Sequence, residues 1–132
     1  MTRRIALPRR WVLAAIGTTV AAPAPVRAQA WPSGPIRLVV PFAPGGTTDV
    51  MARLVADRLG PRLGTTVIVE NRAGAGATIG STFVAQAAPD GHTLVMSNIA
   101  SHGIAPSLYR NLRYDALKDF AHVAMVTRNP SV

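Results

Sequence analysis

The sequence has no cysteine among its 132 residues. That excludes a disulfide scaffold, a cysteine zinc site, an iron–sulfur cluster and a thiol nucleophile. Acidic residues are scarce, with six Asp and Glu against 14 Lys and Arg, and the formal charge is +8. Much of the excess is local. Arg3, Arg4, Arg9, Arg10 and Arg27 fall in the first 27 residues, and from Trp31 onward nine basic residues face six acidic ones. The body of the chain is therefore only +3, which removes most of the case for a nucleic-acid partner. The amino-terminal apolar run, Trp11 to Ala22, has 12 residues and is short of the roughly 20 that a spanning helix needs. Charged residues make up 15% of the sequence against 48% hydrophobic, which argues against disorder. The length suits one small domain at most.

Several chemical signatures are also missing. Gly74-x-Gly76-x-x-x-Gly80 has the wrong last spacing for a dinucleotide fingerprint, and the next strand ends Met96-Ser97-Asn98 with no acid to hold a ribose. There is no G-x-x-x-x-G-K-[ST] phosphate loop and no G-x-S-x-G nucleophile elbow. His92, His102 and His122 lack metal-ligand spacing and read as surface or strand-end residues. No cofactor and no metal are expected.

What is present begins with an address. Thr2 to Arg10 is basic, Trp11 to Ala22 is apolar, and Pro23 to Ala30 offers small residues at Ala28 and Ala30. This is the layout of a secretory signal over residues 1–30, with cleavage expected after Ala30 and Ala28 as the second choice. The Arg3-Arg4 pair and the weakly hydrophobic core suit twin-arginine export as well as general secretion. A periplasmic location is expected for the mature chain.

From residue 31 the pattern alternates between strand and helix. Pro35 to Phe42 reads as a buried strand. A helix is predicted from Thr47, with Thr47 or Thr48 as N-cap and Asp49 at its positive end. Its regular part should end near Leu59 or Gly60, because Pro61 breaks a continuous helix and leaves Arg62-Leu63 a distorted last turn. Thr65 to Glu70 is the second strand, Asn71 to Gly80 a glycine-rich loop, and Ile79 to Ala88 a second helix. His92 to Ser97 is a third strand. Asn98 to Leu112 is a loop with a short helix, Asp115 to Asp119 a turn, and Phe120 to Thr127 a fourth strand. Successive strand–helix units of about 30 residues predict an α/β fold with a mostly parallel sheet. Such a sheet needs both faces covered, and with two substantial helices the core looks unfinished. The chain reads as the front part of a longer protein.

Ligands of open α/β sheets bind at the carboxyl ends of the strands. Two loops there are glycine-rich and open helices: Phe42 to Asp49, and Ala73 to Thr78. Free amides at a helix start favour a carboxylate or phosphate, and Thr47, Thr48 and Thr78 add hydroxyls. The alternative is that these glycines only make tight turns. Asp49 is open to two readings, a general base or a residue that caps the helix and orders the first loop. Arg72 suits a ligand carboxylate or Glu70 equally.

The segments Trp31-Pro32-Ser33-Gly34-Pro35-Ile36-Arg37-Leu38-Val39-Val40-Pro41-Phe42 and Pro44-Gly45-Gly46-x-x-Asp49 resemble the mature start of the Bug family. These are the extracytoplasmic solute receptors of tripartite tricarboxylate transporters. The likeness continues through Val67-Ile68-Val69-Glu70-Asn71-Arg72-x-Gly74-Ala75-Gly76, Ala88-Pro89-Asp90-Gly91-x-Thr93-Leu94 and Leu108-Tyr109-x-Asn111-Leu112-x-Tyr114-Asp115. His92 stands where the family commonly has Tyr, and Arg113, Ala116 and His122 where it has Pro. The resemblance implies the first lobe, incomplete and without its second lobe, of a type II periplasmic-binding-protein fold over residues 31–132. It implies a small carboxylate as ligand and membrane transporter subunits as partners. Carried over residue by residue, ligand contacts would come from Phe42, Ala43, Gly45, Gly46, Thr47, Thr48 and Asp49, from Gly74, Ala75, Gly76, Ala77 and Thr78, and from Ser97, Asn98 and Ala100. Two other readings stay open: a decayed or truncated fragment without its own activity, and an α/β enzyme using Asp49 as base.

Overall fold

A computed structural model describes residues 30–128. The expected export signal lies outside the described residues, apart from Ala30. Three strands, β1 (Ile36–Val40), β2 (Val67–Asn71) and β3 (Thr93–Val95), form one parallel sheet in the order β2-β1-β3. The central strand pairs Leu38 with Val69 on one side and with Leu94 on the other. Apart from Arg37, β1 is apolar because helices cover both faces, and Ile36, Val39 and Val40 are fully buried.

Helix α1 (Thr47–Leu63) lies on one face, where Ala52 joins Leu38 and Val40 in the core. Val55, Val67, Val69, Leu94 and Met96 pack around that cluster. Helix α2 (Thr78–Ala85) packs on β1 and β3. Its Phe83 ring lies beneath the guanidinium groups of Arg72 and Arg37, 3.7 and 5.1 Å from the ring centre. Both arginines also bind Glu70, at 2.6 Å each. The choice at Arg72 is thereby resolved, since its charge is spent on Glu70 and on the aromatic face.

Several boundaries differ from expectation. α1 runs through Pro61 to Leu63 and ends where Gly64 donates its N–H to Gly60. Proline is accommodated there because only the last turn follows it, so little helix depends on its missing N–H. The N-cap is Gly46, with no side-chain cap, rather than Thr47 or Thr48. β2 starts two residues later than expected and runs one further, taking in Asn71, while β1 and β3 are shorter than the expected 35–42 and 92–97. α2 stops at Ala85, short of Ala88. A π-helical turn (Ile99–Ile104) follows β3 and leads into the single turn α3 (Ala105–Leu108). The expected fourth strand is absent among the described residues: 120–127 is irregular and pairs with no strand. A β-rich segment becomes a strand only with a partner to pack and bond against, and here Val123 is left 84% exposed.

The histidines do not behave alike. His92 accepts the Ser33 N–H at 3.1 Å and meets Trp31 edge-on, as a strand-end residue. His102 is half-buried rather than free on the surface. It lies among Tyr114, Phe120 and His122, and burial, reinforced by His122, pushes its pKa down.

Candidate functional site

Parallel pairing brings the carboxyl ends of all three strands to one edge. Val40 lies opposite Asn71, and Val39 opposite Val95. The loops that leave these positions form one rim. It holds Phe42 to Thr48 before and into α1, Gly74 to Thr78 before and into α2, and Ser97 to Ala100 at the π turn. The short 3-10 turn Ala75–Ala77 packs directly on the π turn, which joins the second and third segments.

Asp49 organises the first segment. Its carboxylate is buried and accepts from the Gly45 N–H at 2.9 Å, from Asn71 Nδ2 at 2.9 Å and from both Arg53 donors at 3.1 Å. Asn71 Nδ2 also donates to the Phe42 carbonyl at 3.2 Å. The Arg53 hydrogen bonds above all, then those of Gly45 and Asn71, outweigh burial and hold the Asp49 pKa at about 2. A carboxylate so engaged is a poor general base near neutral pH. Of the two readings of Asp49, the loop-ordering one matches the geometry. Arg53 and Asn71 were missed by sequence reasoning. The i,i+4 spacing of Asp49 and Arg53 was the available signal for one, whereas Asn71 sits where strand and loop compositions meet.

The second segment is bent by four successive positive φ angles: Gly74 (134°), Ala75 (45°), Gly76 (62°) and Ala77 (74°). Alanine pays about 1–2 kcal/mol for such a conformation, so the loop holds strain at two positions. Backbone strain of this kind clusters at functional sites. The third segment is held by Asn98, whose side chain accepts from the Ala100 and Ser101 amides, while the Ser101 hydroxyl accepts from the Asn98 N–H.

These bonds sort the expected contacts. The amides of Gly45, Ala77, Asn98, Ala100 and Thr78 are already used inside the protein, and the Thr78 hydroxyl donates to the Ala75 carbonyl at 2.8 Å. Ala77 is itself buried, and Phe42 packs against the core. These residues shape the rim and are not free donors, because a tight turn consumes its own amides. Among the described residues, the amides of Gly46, Thr47 and Thr48, and of Ala75 and Gly76, make no hydrogen bond. Ala43, Gly46, Thr47, Gly74, Ala75, Gly76 and Ser97 are exposed, and Thr48 is partly so. The start of α1, without a side-chain cap, thus offers free amides on the rim and favours an anion. The free amides beside α2 belong instead to the left-handed 3-10 turn that precedes it, because the first amide of α2, Thr78, is bonded to Ala75. Among the described residues no group of three or more acidic or histidine side chains could hold a metal ion.

A hollow of about 340 Å³ lies next to the second segment, between α2 and residues 109–113. Sequence reasoning did not single it out, because Tyr109, Asn111 and Arg113 come from a stretch without periodicity.

Residues 51–132 match the family described as tripartite tricarboxylate transporter family receptor. Protein BugT of Bordetella pertussis is 44% identical over 125 residues, covering 92% of this chain and 38% of BugT. MatC from Rhodopseudomonas palustris, solved with bound malate, shares 46% identity at a TM-score of 0.65, over 67% of this chain and 30% of MatC. Rpa4515 of R. palustris, solved with adipate, shares 38% identity at a TM-score of 0.63, over 66% of this chain and 29% of that one. The chain spans little more than a third of the length of BugT.

Proposed function

The chain belongs to the tripartite tricarboxylate transporter receptor family, and from that premise we propose that it is a periplasmic solute-binding protein whose strand-end rim captures a small organic carboxylate. Residues 1–30 direct its export and are cleaved near Ala30. Residues 31–132 supply part of the first lobe of the receptor, and the loaded receptor delivers its solute to the membrane subunits of a tripartite transporter. The observation that carries this reading is the uncapped start of α1 beside a left-handed 3-10 turn on the same rim, with unpartnered amides at Gly46, Thr47 and Thr48 and at Ala75 and Gly76. Amides and helix dipoles hold an anion without a buried cation, which fits a rim whose nearby Arg53 and Arg72 are already paired. The malate and adipate in the R. palustris structures support the ligand class. Binding is favoured over catalysis because Asp49, the one candidate base, is occupied by three partners.

The test is a titration of the purified chain with malate and adipate and with their uncharged diamides. The diacids are expected to bind and the diamides not. Equal responses to acid and amide would overturn the proposal.

A further inference from the structure

We propose that the hollow beside the second loop receives the distal carboxylate of a dicarboxylate whose first carboxylate sits on the strand-end rim. This rests on the reading of the rim as a carboxylate site, and adds to it a residue that sets specificity. The hollow, about 340 Å³, is lined by Thr78, Ile79, Tyr109, Asn111, Leu112 and Arg113 among others. It adjoins the rim. Thr78 belongs to both, and the Tyr109 hydroxyl sits so close over the second loop that a Cβ on Gly76 would meet it at 2.8 Å.

The chemistry of the lining is divided. Ile79, half-exposed, and Leu112 offer an aliphatic wall. Tyr109, Asn111 and Arg113 offer donors, and among the described residues their side chains make no hydrogen bond to protein. Arg37, Arg53, Arg72 and Lys118 are all in ion pairs. Arg113, exposed and like Arg58, Arg62 and Arg110 without an ion-pair partner among the described residues, is the cation that lines the hollow. A guanidinium presents a planar fork that matches a carboxylate. An apolar wall leading to such a fork suits an aliphatic chain that ends in a second carboxylate. The class selected is the α,ω-dicarboxylates over monocarboxylates of equal length.

The experiment compares adipate with hexanoate, which has the same carbon count and lacks the second carboxylate. The purified chain and its Arg113→Gln and Arg113→Lys variants are titrated by NMR at constant ionic strength. Wild type is expected to bind adipate roughly tenfold more tightly than hexanoate, as one charged hydrogen-bonded contact provides. Arg113→Gln brings the two within about twofold with hexanoate affinity unchanged, and Arg113→Lys keeps part of the preference. A preference that survives Arg113→Gln overturns the inference and leaves the rim reading standing. If neither acid moves any wild-type amide, the rim reading falls and the inference with it.

Discussion

Asp49 shows how one buried charge shapes a loop. Its carboxylate fastens Gly45, Arg53 and Asn71 at once, so the first loop, α1 and the end of β2 are tied together at one point. The fold lowers its pKa from 3.8 to about 2. A carboxyl that ionises more readily in the folded state stabilises the fold fully above the unfolded value. That stabilisation is lost as pH falls from about 4 towards 2. Glu70, held low first by Arg37, adds an effect of the same sign. Asp49→Asn should therefore flatten the acid limb of a stability-versus-pH curve and speed hydrogen exchange at Gly45. An unchanged acid limb would show that the carboxylate is not so held. Gly80 carries a different constraint. A Cβ there would lie 2.9 Å from both the Pro41 Cα and the Arg72 carbonyl, where backbone cannot yield cheaply. Gly80→Ala is expected to cost about 1–3 kcal/mol in denaturant unfolding, the range for overpacking.

At the scale of elements, what periodicity could reveal was legible. β1 reads as a mostly apolar run because it is the central strand. The three–four repeat of Val50, Met51, Leu54, Val55 and Leu59 signalled α1 but not its buried face: the helix buries Ala52, Ala56 and Gly60 and leaves Val50 and Leu54 about half exposed. The two glycine loops stood out by composition. Their inner geometry did not, since nothing in Ala73 to Thr78 announces that Ala75 and Ala77 take positive φ. That conformation accompanies packing of the 3-10 turn against the π turn, a contact far enough along the chain to leave no local pattern. Asn71 was assigned to a loop on composition, yet the ladder with Val40 keeps it in β2. The run 120–127 has strand composition and no strand to pair with, so the pattern alone misled. Pro61 was expected to end α1 and lies inside it, because one turn of helix tolerates a missing donor. Pro61→Ala should restore that donor and raise stability by about 1 kcal/mol, less than an interior proline costs because it also frees the unfolded chain. A loss of stability would show that ring packing outweighs the hydrogen bond. Ala75→Gly should raise stability by about 1 kcal/mol by relieving the left-handed strain, read as an upward shift in thermal unfolding.

The described residues place three strands, two longer helices, the single turn α3 and a rim in about a hundred residues. Its surface leaves Leu117, Val123 and Met125 more than three-quarters exposed, so the apolar area buried per residue is modest and stability should be marginal. The rim covers one side of a ligand, whereas ligand sites commonly enclose most of a ligand's surface. Millimolar affinity, about 4 kcal/mol, is the expectation for this chain alone. The measurement that tests the account most directly is an NMR titration with malate, read at every backbone amide. Shifts are expected to concentrate at Gly46, Thr47 and Thr48 and at Ala75 and Gly76, saturating in the millimolar range. Shifts elsewhere with those five amides unmoved would contradict it.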